Sequence, residues 1–435
     1  MKKVLLISPP VRNQRPINMI PIGLLSIAGY LRKYGLAAKV HNIYFPGHDA
    51  YGKKVENTIK RIKEYAPDFI GIGFPSDALD PAIEIARAAK DLNKEFKVIV
   101  GGIHPSAEPA ETMGIPYFDF LVQGEGEITT KELLDALTSE RDLRMVTGIS
   151  YKRDGTILNN EPRPEISDLD SIPFDHRDLL FDVEEYPKTA LGQIHTSRGC
   201  PYGCAYCSSS IIWKKKVRYR SVNNIIAEIE YLNSRYHLKD INFADDNFTL
   251  DPDRVAEICE EILRRNLKLH WHCCSRPDIH KSFRPEILRL MRRSGCRQLC
   301  IGFESGSQEL LDSASRGMKI NESDRMLEAI RNAGIRLHAD FIIGLPGENK
   351  ETLNQTLQLM KRAWHECQPT MNIALFKPYP GTRLCESVVA DHVHLHTEYK
   401  NIFAFAEACN IKRLLRNPAY IGRTLLHNIT APKSV

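Results

Sequence analysis

The sequence predicts an α/β protein with a doubly wound parallel sheet over residues 1–140, a linker over 141–190, a partial (β/α)6 barrel over 191–385 and a short helical tail over 386–435. Short β-branched runs alternate with amphipathic stretches in both sheet regions. Between them the alternation lapses, where Pro162, Pro164, Pro173 and Pro187 fall among acidic residues. A chain of 435 residues is long enough to bury cores of ordinary size in each region.

The first strands are expected at Lys3–Ser8, Ala38–Tyr44, Phe69–Phe74, Lys97–Gly101 and Phe120–Gln123. Leu24, Ile27, Ala28 and Leu31 share one helical face after the first strand, and Ile83, Ile85, Ala86 and Ala89 approximately share one after the third. Five strands joined by helices give a flavodoxin-like sheet, whose ligand lies beyond the strands' carboxyl ends. Those ends carry Pro9-Pro10, Ser76-Asp77, Gly101-Gly102-Ile103-His104 and Gly124-Glu125-Gly126-Glu127, which suit either close backbone approach to a ligand or ordinary turns.

In the second region strands are expected at Gln193–Ser197, Ile241–Ala244, Leu269–Cys274, Gln298–Phe303, Arg336–Ile343 and Asn372–Phe376, most of them followed by helical runs. Asp251 caps a helix begun by Pro252, with Val255, Ile258, Cys259 and Ile262 as its buried stripe. Such a barrel places reactive groups at the C-terminal ends of its strands. The tail interleaves Lys412, Arg413, Arg416 and Arg423 with Leu414, Leu415, Ile421, Leu425 and Leu426. A basic amphipathic helix of this kind lies on an anionic membrane surface, covers an apolar pocket or packs on its own domain.

Composition narrows the class. With 43% apolar and 26% charged residues the chain is neither disordered nor fibrous. No apolar run reaches the roughly 18 residues of a membrane-spanning helix. The opening Met-Lys-Lys-Val-Leu-Leu-Ile reads as a strand rather than an export signal, so a cytoplasmic location is expected. A net charge of +5, spread along the chain, argues against nucleic acid as a partner. The 11 cysteines are odd in number and none precedes Cys200, which argues against a disulfide framework and for thiolate chemistry in the second half.

That chemistry centres on Thr196-Ser197-Arg198-Gly199-Cys200-Pro201-Tyr202-Gly203-Cys204-Ala205-Tyr206-Cys207. Three cysteines spaced C-x3-C-x2-C on a loop directly after a strand can turn their thiolates toward one centre, as an iron–sulfur cluster requires. A structural zinc would want a fourth Cys or His at comparable spacing, and none follows closely. A four-iron cluster on three thiolates keeps one iron open.

The loop, with Tyr206 before its third cysteine, resembles the signature of the radical S-adenosylmethionine (SAM) enzymes. The resemblance implies a [4Fe–4S] cluster on Cys200, Cys204 and Cys207 whose open iron chelates SAM, which is cleaved to a 5′-deoxyadenosyl radical. It extends to Phe243-Ala244-Asp245-Asp246-Asn247-Phe248, where Asp245 and Asp246 meet SAM's ammonium or simply begin a helix. In Ile301-Gly302-Phe303-Glu304-Ser305-Gly306-Ser307, Glu304 and Ser305 belong to the fourth-strand motif, with Glu304 on the ribose or methionine moiety. Gly344 belongs to the adenine-side motif Phe341–Glu348, and Lys377-Pro378-Tyr379-Pro380-Gly381-Thr382 matches the end of the sixth strand. Arg276 partners SAM's carboxylate or is a salt-bridged rim residue. The remaining cysteines read as small buried hydrophobes, with Cys296 and Cys300 on the face opposite the site.

The first domain resembles the cobalamin-binding fold that precedes the barrel in one group of these enzymes. The likeness rests on Pro21–Leu31 with Gly23 and Leu24, on Ser76-Asp77, on Gly101-Gly102-Ile103-His104-Pro105-Ser106, and on Gly124-Glu125-Gly126-Glu127; Pro10 is a further cofactor contact by position. The D-x-H-x-x-G motif that supplies a histidine to cobalt is absent. The resemblance then implies a lower cobalt face without a strong protein ligand, approached by Ser76 or Asp77, while His104 touches the cofactor's periphery or bonds locally. The function implied is a cobalamin-dependent methyltransferase acting on an unactivated carbon or phosphorus. The alternatives are oxidative cyclisation or rearrangement with the same cofactors, and a non-enzymatic cobalamin or Fe–S sensor. A transfer-RNA methylthiotransferase is disfavoured, since residues 1–199 hold no cysteine. The partners expected are a small-molecule substrate, which the tail's apolar and basic mixture suggests is lipid-like or anionic, and a reduced flavodoxin- or ferredoxin-type electron donor, with no nucleic acid and at most peripheral membrane contact through the tail.

Overall fold

The computed structural model describes residues 2–10, 19–43, 51–281 and 285–385. The expected helical tail and the end of the second strand at Tyr44 lie outside the described residues. Two compact units divide the chain, Met1–Pro201 with Ser208–Asn242, and Tyr202–Cys207 with Phe243–Val435.

In the first unit, strands β1 (Lys3–Ser8), β2 (Ala37–Asn42), β3 (Phe69–Gly73), β4 (Lys97–Gly101) and β5 (Phe120–Val122) alternate with helices α1 (Ile22–Lys33), α2 (Tyr51–Tyr65), α3 (Leu79–Leu92), α4 (Ile103–Ala107), α5 (Pro109–Gly114) and α6 (Gly126–Thr138). The sheet order is β2-β1-β3-β4-β5, all parallel, as a flavodoxin-like chain requires. Leu5, Ile7, Ile70, Val98, Val100 and Leu121 are fully buried against Ala82, Ile85, Ala86 and Ala89 of α3. Two further strands extend the sheet, β6 (Ile149–Arg153) antiparallel to β5 and β7 (Thr156–Asn159) antiparallel to β6. They arise inside the segment read from sequence as a linker. Their turn is Asp154-Gly155, with φ of +50° and +76°, the left-handed pair that a two-residue hairpin demands.

The first unit continues through α7 (Lys188–Leu191), β8 (Gln193–Ile194), β9 (Ser197–Arg198), α8 (Ser209–Trp213), β10 (Arg218–Tyr219), α9 (Val222–Tyr236) and the start of β11 (Asp240–Phe243). The second unit holds α10 (Pro252–Arg264), β12 (His270–Ser275), α11 (Pro285–Ser294), β13 (Cys296–Glu304), α12 (Gln308–Ser313), α13 (Asn321–Ala333), β14 (Arg336–Ile343), α14 (Lys350–Cys367) and β15 (Thr370–Leu375). Strands β12 to β15 pair in chain order and in parallel. Strands therefore stand at all six places expected of the partial barrel, and no closed barrel is present among the described residues. One face of β12–β15 is buried by Trp271, Cys273, Leu299, Ile301, Phe303, Leu337, Phe341 and Met371. Phe243 stacks on Phe248 at 4.5 Å and meets the edge of Trp271 at 5.2 Å, contacts worth about 0.5–1.5 kcal/mol each beyond burial.

Asp251 caps α10 by accepting from the amides of Asp253 and Arg254 at 3.1 Å, and Val255, Ile258, Cys259 and Ile262 are fully buried. Asp251→Ala should therefore lower stability by about 1 kcal/mol in urea unfolding. On β2, burial and then the Arg61 charge press the His41 imidazole down to about 4 from its ordinary 6.5. The unfolded chain takes up that proton first on acidification, so this contribution to stability is intact above about pH 6.5 and lost as pH falls toward 4. The urea midpoint of His41→Gln should fall less steeply than the wild type's over that window.

Candidate functional site

At the carboxyl end of the first sheet lies a cavity of about 630 Å³, contained within the first unit. Glycines clear its wall. A Cβ on Gly71 would fall 2.5 Å from Leu6 Cδ2, one on Gly73 2.7 Å from Leu24 Cδ2, and one on Gly126 2.5 Å from Ile27 Cδ1. Gly102 takes a φ of +103° with the Phe74 backbone 3.0 Å from any Cβ, so only glycine fits there. Leu24 and Ile27, read as part of a core stripe, are only half-buried because they face this space.

Gly23, Leu24, Gly101, Gly102, Gly124 and Glu125 of the expected cofactor contacts line the cavity; Pro10, Ser76, Asp77 and His104 do not. Pro10 is buried at the end of a described segment. Ser76 and Asp77 form a single helical turn after β3, and the Ser76 hydroxyl meets His104 Nδ1 at 3.1 Å. His104 is 3% exposed, and burial lowers its pKa despite Glu111 and Glu108 nearby, so it stays neutral beside the Phe74 ring.

Along the same wall two buried carboxylates meet two guanidiniums. Glu125 Oε1 accepts from Arg198 at 2.5 Å, and its Oε2 accepts from Arg218 at 2.7 Å and from the Ile166 amide at 2.6 Å. Glu127 Oε1 accepts from Arg198 and from the Ser26 hydroxyl, each at 2.5 Å. Burial would raise the Glu127 pKa and lower that of Arg198, yet their mutual attraction moves both the other way, so the pair stays ionised. Glu127, Arg198 and Arg218 were not singled out as site residues from sequence; the available signal was an arginine directly before Gly199-Cys200.

The cysteine loop runs from one unit into the other. Cys200 belongs to the first, Cys204 and Cys207 to the second, and none of the three forms a disulfide. Around Cys204 the Ala205 amide donates to the Ala314 carbonyl at 2.8 Å and the Cys207 amide to the Cys204 carbonyl at 3.1 Å. Two guanidiniums approach the Cys204 sulfur, Arg276 Nη1 and Arg316 Nη1, each at 3.6 Å. Arg276 is gripped by Asp278 at 2.9 Å, donates to the Arg316 carbonyl at 2.7 Å and lies 3.6 Å over the Tyr202 ring. Its guanidinium is thus engaged by Asp278, by the Arg316 carbonyl and by the Tyr202 ring. Arg316, unread from sequence, also donates to the Gly302 carbonyl and lies 3.5 Å from Glu304.

Glu304 ends β13 with a φ of +67°, a left-handed conformation that a glutamate adopts at a cost of about 1–3 kcal/mol. Burial, with Asp340 adding to it, raises its carboxyl pKa against the pull of Arg316. Burial and the Glu304 charge likewise raise the Tyr206 phenol. Ser305 is fully buried, and its hydroxyl is used by Thr356 at 3.1 Å and the Ser307 amide at 3.1 Å, so it shapes the turn. Asp245 is buried whereas Asp246 is exposed. Gly344 takes a φ of +82° at the end of β14, its amide donating to Glu348 at 2.6 Å.

One expectation is corrected. Cys296 is buried, but Cys300 lies on the half-exposed face that also carries Glu304, because β13 bulges between Cys296 and Gln298 and the count of two slips by one residue. Cys274, Cys300, His338 and Thr370 stand in register across four strands. Hydrogen bonding by Cys274, with His338 nearby, brings the Cys300 thiol down to about 7 against burial. Asp340, 3.5 Å from His338, raises that imidazole's pKa against burial.

The donor sets fit the groups expected. A loop of three cysteines outside any disulfide, with two guanidiniums at one sulfur, offers ligands and positive charge to an iron–sulfur cluster, and a glycine-cleared cavity admits a bulky planar ring. Among the described residues no three His, Cys, Asp or Glu side chains converge on a metal position.

A doubly wound sheet with a ligand cavity, followed by an open parallel sheet and a three-cysteine loop, defines a two-part α/β enzyme. The chain matches the Radical SAM superfamily over residues 194–360 and the B12 binding domain over residues 10–134. An uncharacterized methyltransferase of Pyrococcus horikoshii is 33% identical over 404 residues, covering 92% of this chain and 85% of that one. The anaerobic magnesium-protoporphyrin IX monomethyl ester cyclase of Rubrivivax gelatinosus is 29% identical over 380 residues, covering 85% and 66%. The radical SAM methyltransferase TsrM of Kitasatospora setae, solved with cobalamin and a [4Fe–4S] cluster, shares the fold with a TM-score of 0.72 at 20% identity, covering 88% and 74%. The chain belongs to the radical SAM superfamily, with a B12-binding domain ahead of its radical SAM domain.

In the described residues no helix is long and apolar enough to cross a membrane. A Cβ on Gly199 would fall 1.8 Å from the Lys216 carbonyl oxygen, too close for any relaxation short of moving the backbone. Gly199→Ala should therefore cut the iron bound after anaerobic reconstitution by more than about tenfold, measured by iron and sulfide analysis.

Proposed function

We propose that this protein is a cobalamin-dependent radical SAM methyltransferase acting on a small molecule at an unactivated carbon or phosphorus. The observation that carries the reading is the glycine-walled cavity at the sheet's carboxyl end, in a chain that also bears the C-x3-C-x2-C loop. When bound, the cluster supplies the electron that cleaves SAM and the corrinoid supplies a carrier for the methyl group. Cys200, Cys204 and Cys207 hold the cluster. Arg276 and Arg316 place positive charge beside the Cys204 sulfur, and Glu304, held in its left-handed conformation beside Arg316, offers a carboxyl to the polar part of SAM. Gly101, Gly102 and Gly124 let the corrinoid approach the strand ends. The half-exposed row of Cys274, Cys300 and His338 is where a substrate would meet side chains of this chain. A reduced flavodoxin- or ferredoxin-type protein is proposed as the electron donor.

The likeness to a cyclase supports a second reading, in which the same cofactors serve ring closure without methyl transfer. One experiment separates them. Anaerobically reconstituted protein is loaded with hydroxocobalamin and given SAM and a strong reductant, and both 5′-deoxyadenosine and S-adenosylhomocysteine are quantified. Both products are expected. Deoxyadenosine without the homocysteine product would sink methyl transfer and leave radical cleavage standing; neither product would sink both. Alanine at any one of Cys200, Cys204 or Cys207 should abolish deoxyadenosine formation while hydroxocobalamin is still retained.

A further inference from the structure

Gly124-Glu125-Gly126-Glu127 forms part of the cavity wall, yet its carboxylates are committed elsewhere. Both Glu125 oxygens are taken by Arg198, Arg218 and the Ile166 amide, and Glu127 is taken by Arg198 and Ser26. The two carboxylate side chains are only 5% and 4% exposed. Arg198 stands two residues ahead of Cys200, directly opposite Arg218 in the β9–β10 ladder. Between Arg198 and Cys200, Gly199 passes so close to the Lys216 carbonyl that the backbone has a single path. With the carboxylates almost sealed from solvent and bonded directly to the guanidiniums, a shift of the Gly124–Glu127 backbone is passed to Arg198 and Arg218.

We propose that Glu125 and Glu127 are positioning residues that couple occupancy of the cavity to the seating of the cysteine loop. A corrinoid lodged against Gly124 and Gly126 holds the two carboxylates in place. They hold Arg198 and Arg218, and the strand leading to Cys200 keeps its register. The inference rests on the corrinoid reading of the cavity. Because coupling between two binding events is reciprocal, the cluster must tighten corrinoid binding as much as the corrinoid steadies the cluster.

The test is equilibrium binding of hydroxocobalamin, followed by absorbance, to cluster-loaded protein and to the same protein stripped of iron by a chelator. The loaded wild type should bind at least about fivefold tighter than the stripped protein. In Glu127→Gln, and in Arg198→Lys, which keeps the charge but loses the two-pronged fit, the ratio should fall below about twofold. Should either fail to fold by circular dichroism, Ser26→Ala removes one donor without stranding a buried charge and should lower the ratio in the same direction. A purely structural role would lower the melting temperature and leave the ratio unchanged, which overturns the coupling, as does a ratio of one in the wild type. A wild-type protein that assembles its cluster but never retains hydroxocobalamin overturns the corrinoid reading itself.

Discussion

Two carboxylates buried at the carboxyl end of a parallel sheet require positive charge within bonding distance, and that requirement organises the first unit. Glu125 and Glu127 lie at the amino end of α6, where the helix dipole already favours anions, but burial this deep asks for full counter-charges. Arg198 and Arg218 supply them from a short ladder about 70 to 90 residues away in sequence. Removing one member of such a set strands the other, typically at about 3–5 kcal/mol. The cavity, the ladder and the approach to Cys200 are thereby parts of one electrostatic arrangement.

A different constraint shapes the second unit. Parallel strands buried on one face by helices leave the other face to be polar, and the residues there are those with chemistry: Glu304, Cys300, His338 and Asp340. Glu304 leaves regular strand geometry at the point where β13 shifts register against β14, and Arg316 returns from behind α12 to meet it. Backbone strain is thus retained at Glu304, with the Arg316 guanidinium bridging its carboxylate and the Cys204 sulfur.

Much of this was legible in the sequence. The strands of the first sheet, the Asp251 cap and the burial of Val255, Ile258, Cys259 and Ile262 follow from periodicity and capping, which are local. The hairpin at Asp154-Gly155 carried its own turn signal, masked by the prolines that follow it. Cys300 was misplaced because an inserted bulge residue, invisible to alternation counting, reverses the faces beyond it. Glu125 was legible as a wall residue, but the commitment of both its oxygens to arginines depends on Arg198 and Arg218, whose proximity no local pattern encodes.

By itself the sequence determined the order of strands and helices, the glycines at the sheet's edge and the three-thiol spacing, because each depends on residues within a turn or two of one another. Only the tertiary structure decided which charges neutralise which, that Leu24 and Ile27 face a cavity rather than a core, and that Arg276 and Arg316 converge on the Cys204 sulfur. Those are contacts between segments far apart along the chain, selected by the cost of burying a charge or leaving a void, and that cost exists only once the sheets have folded.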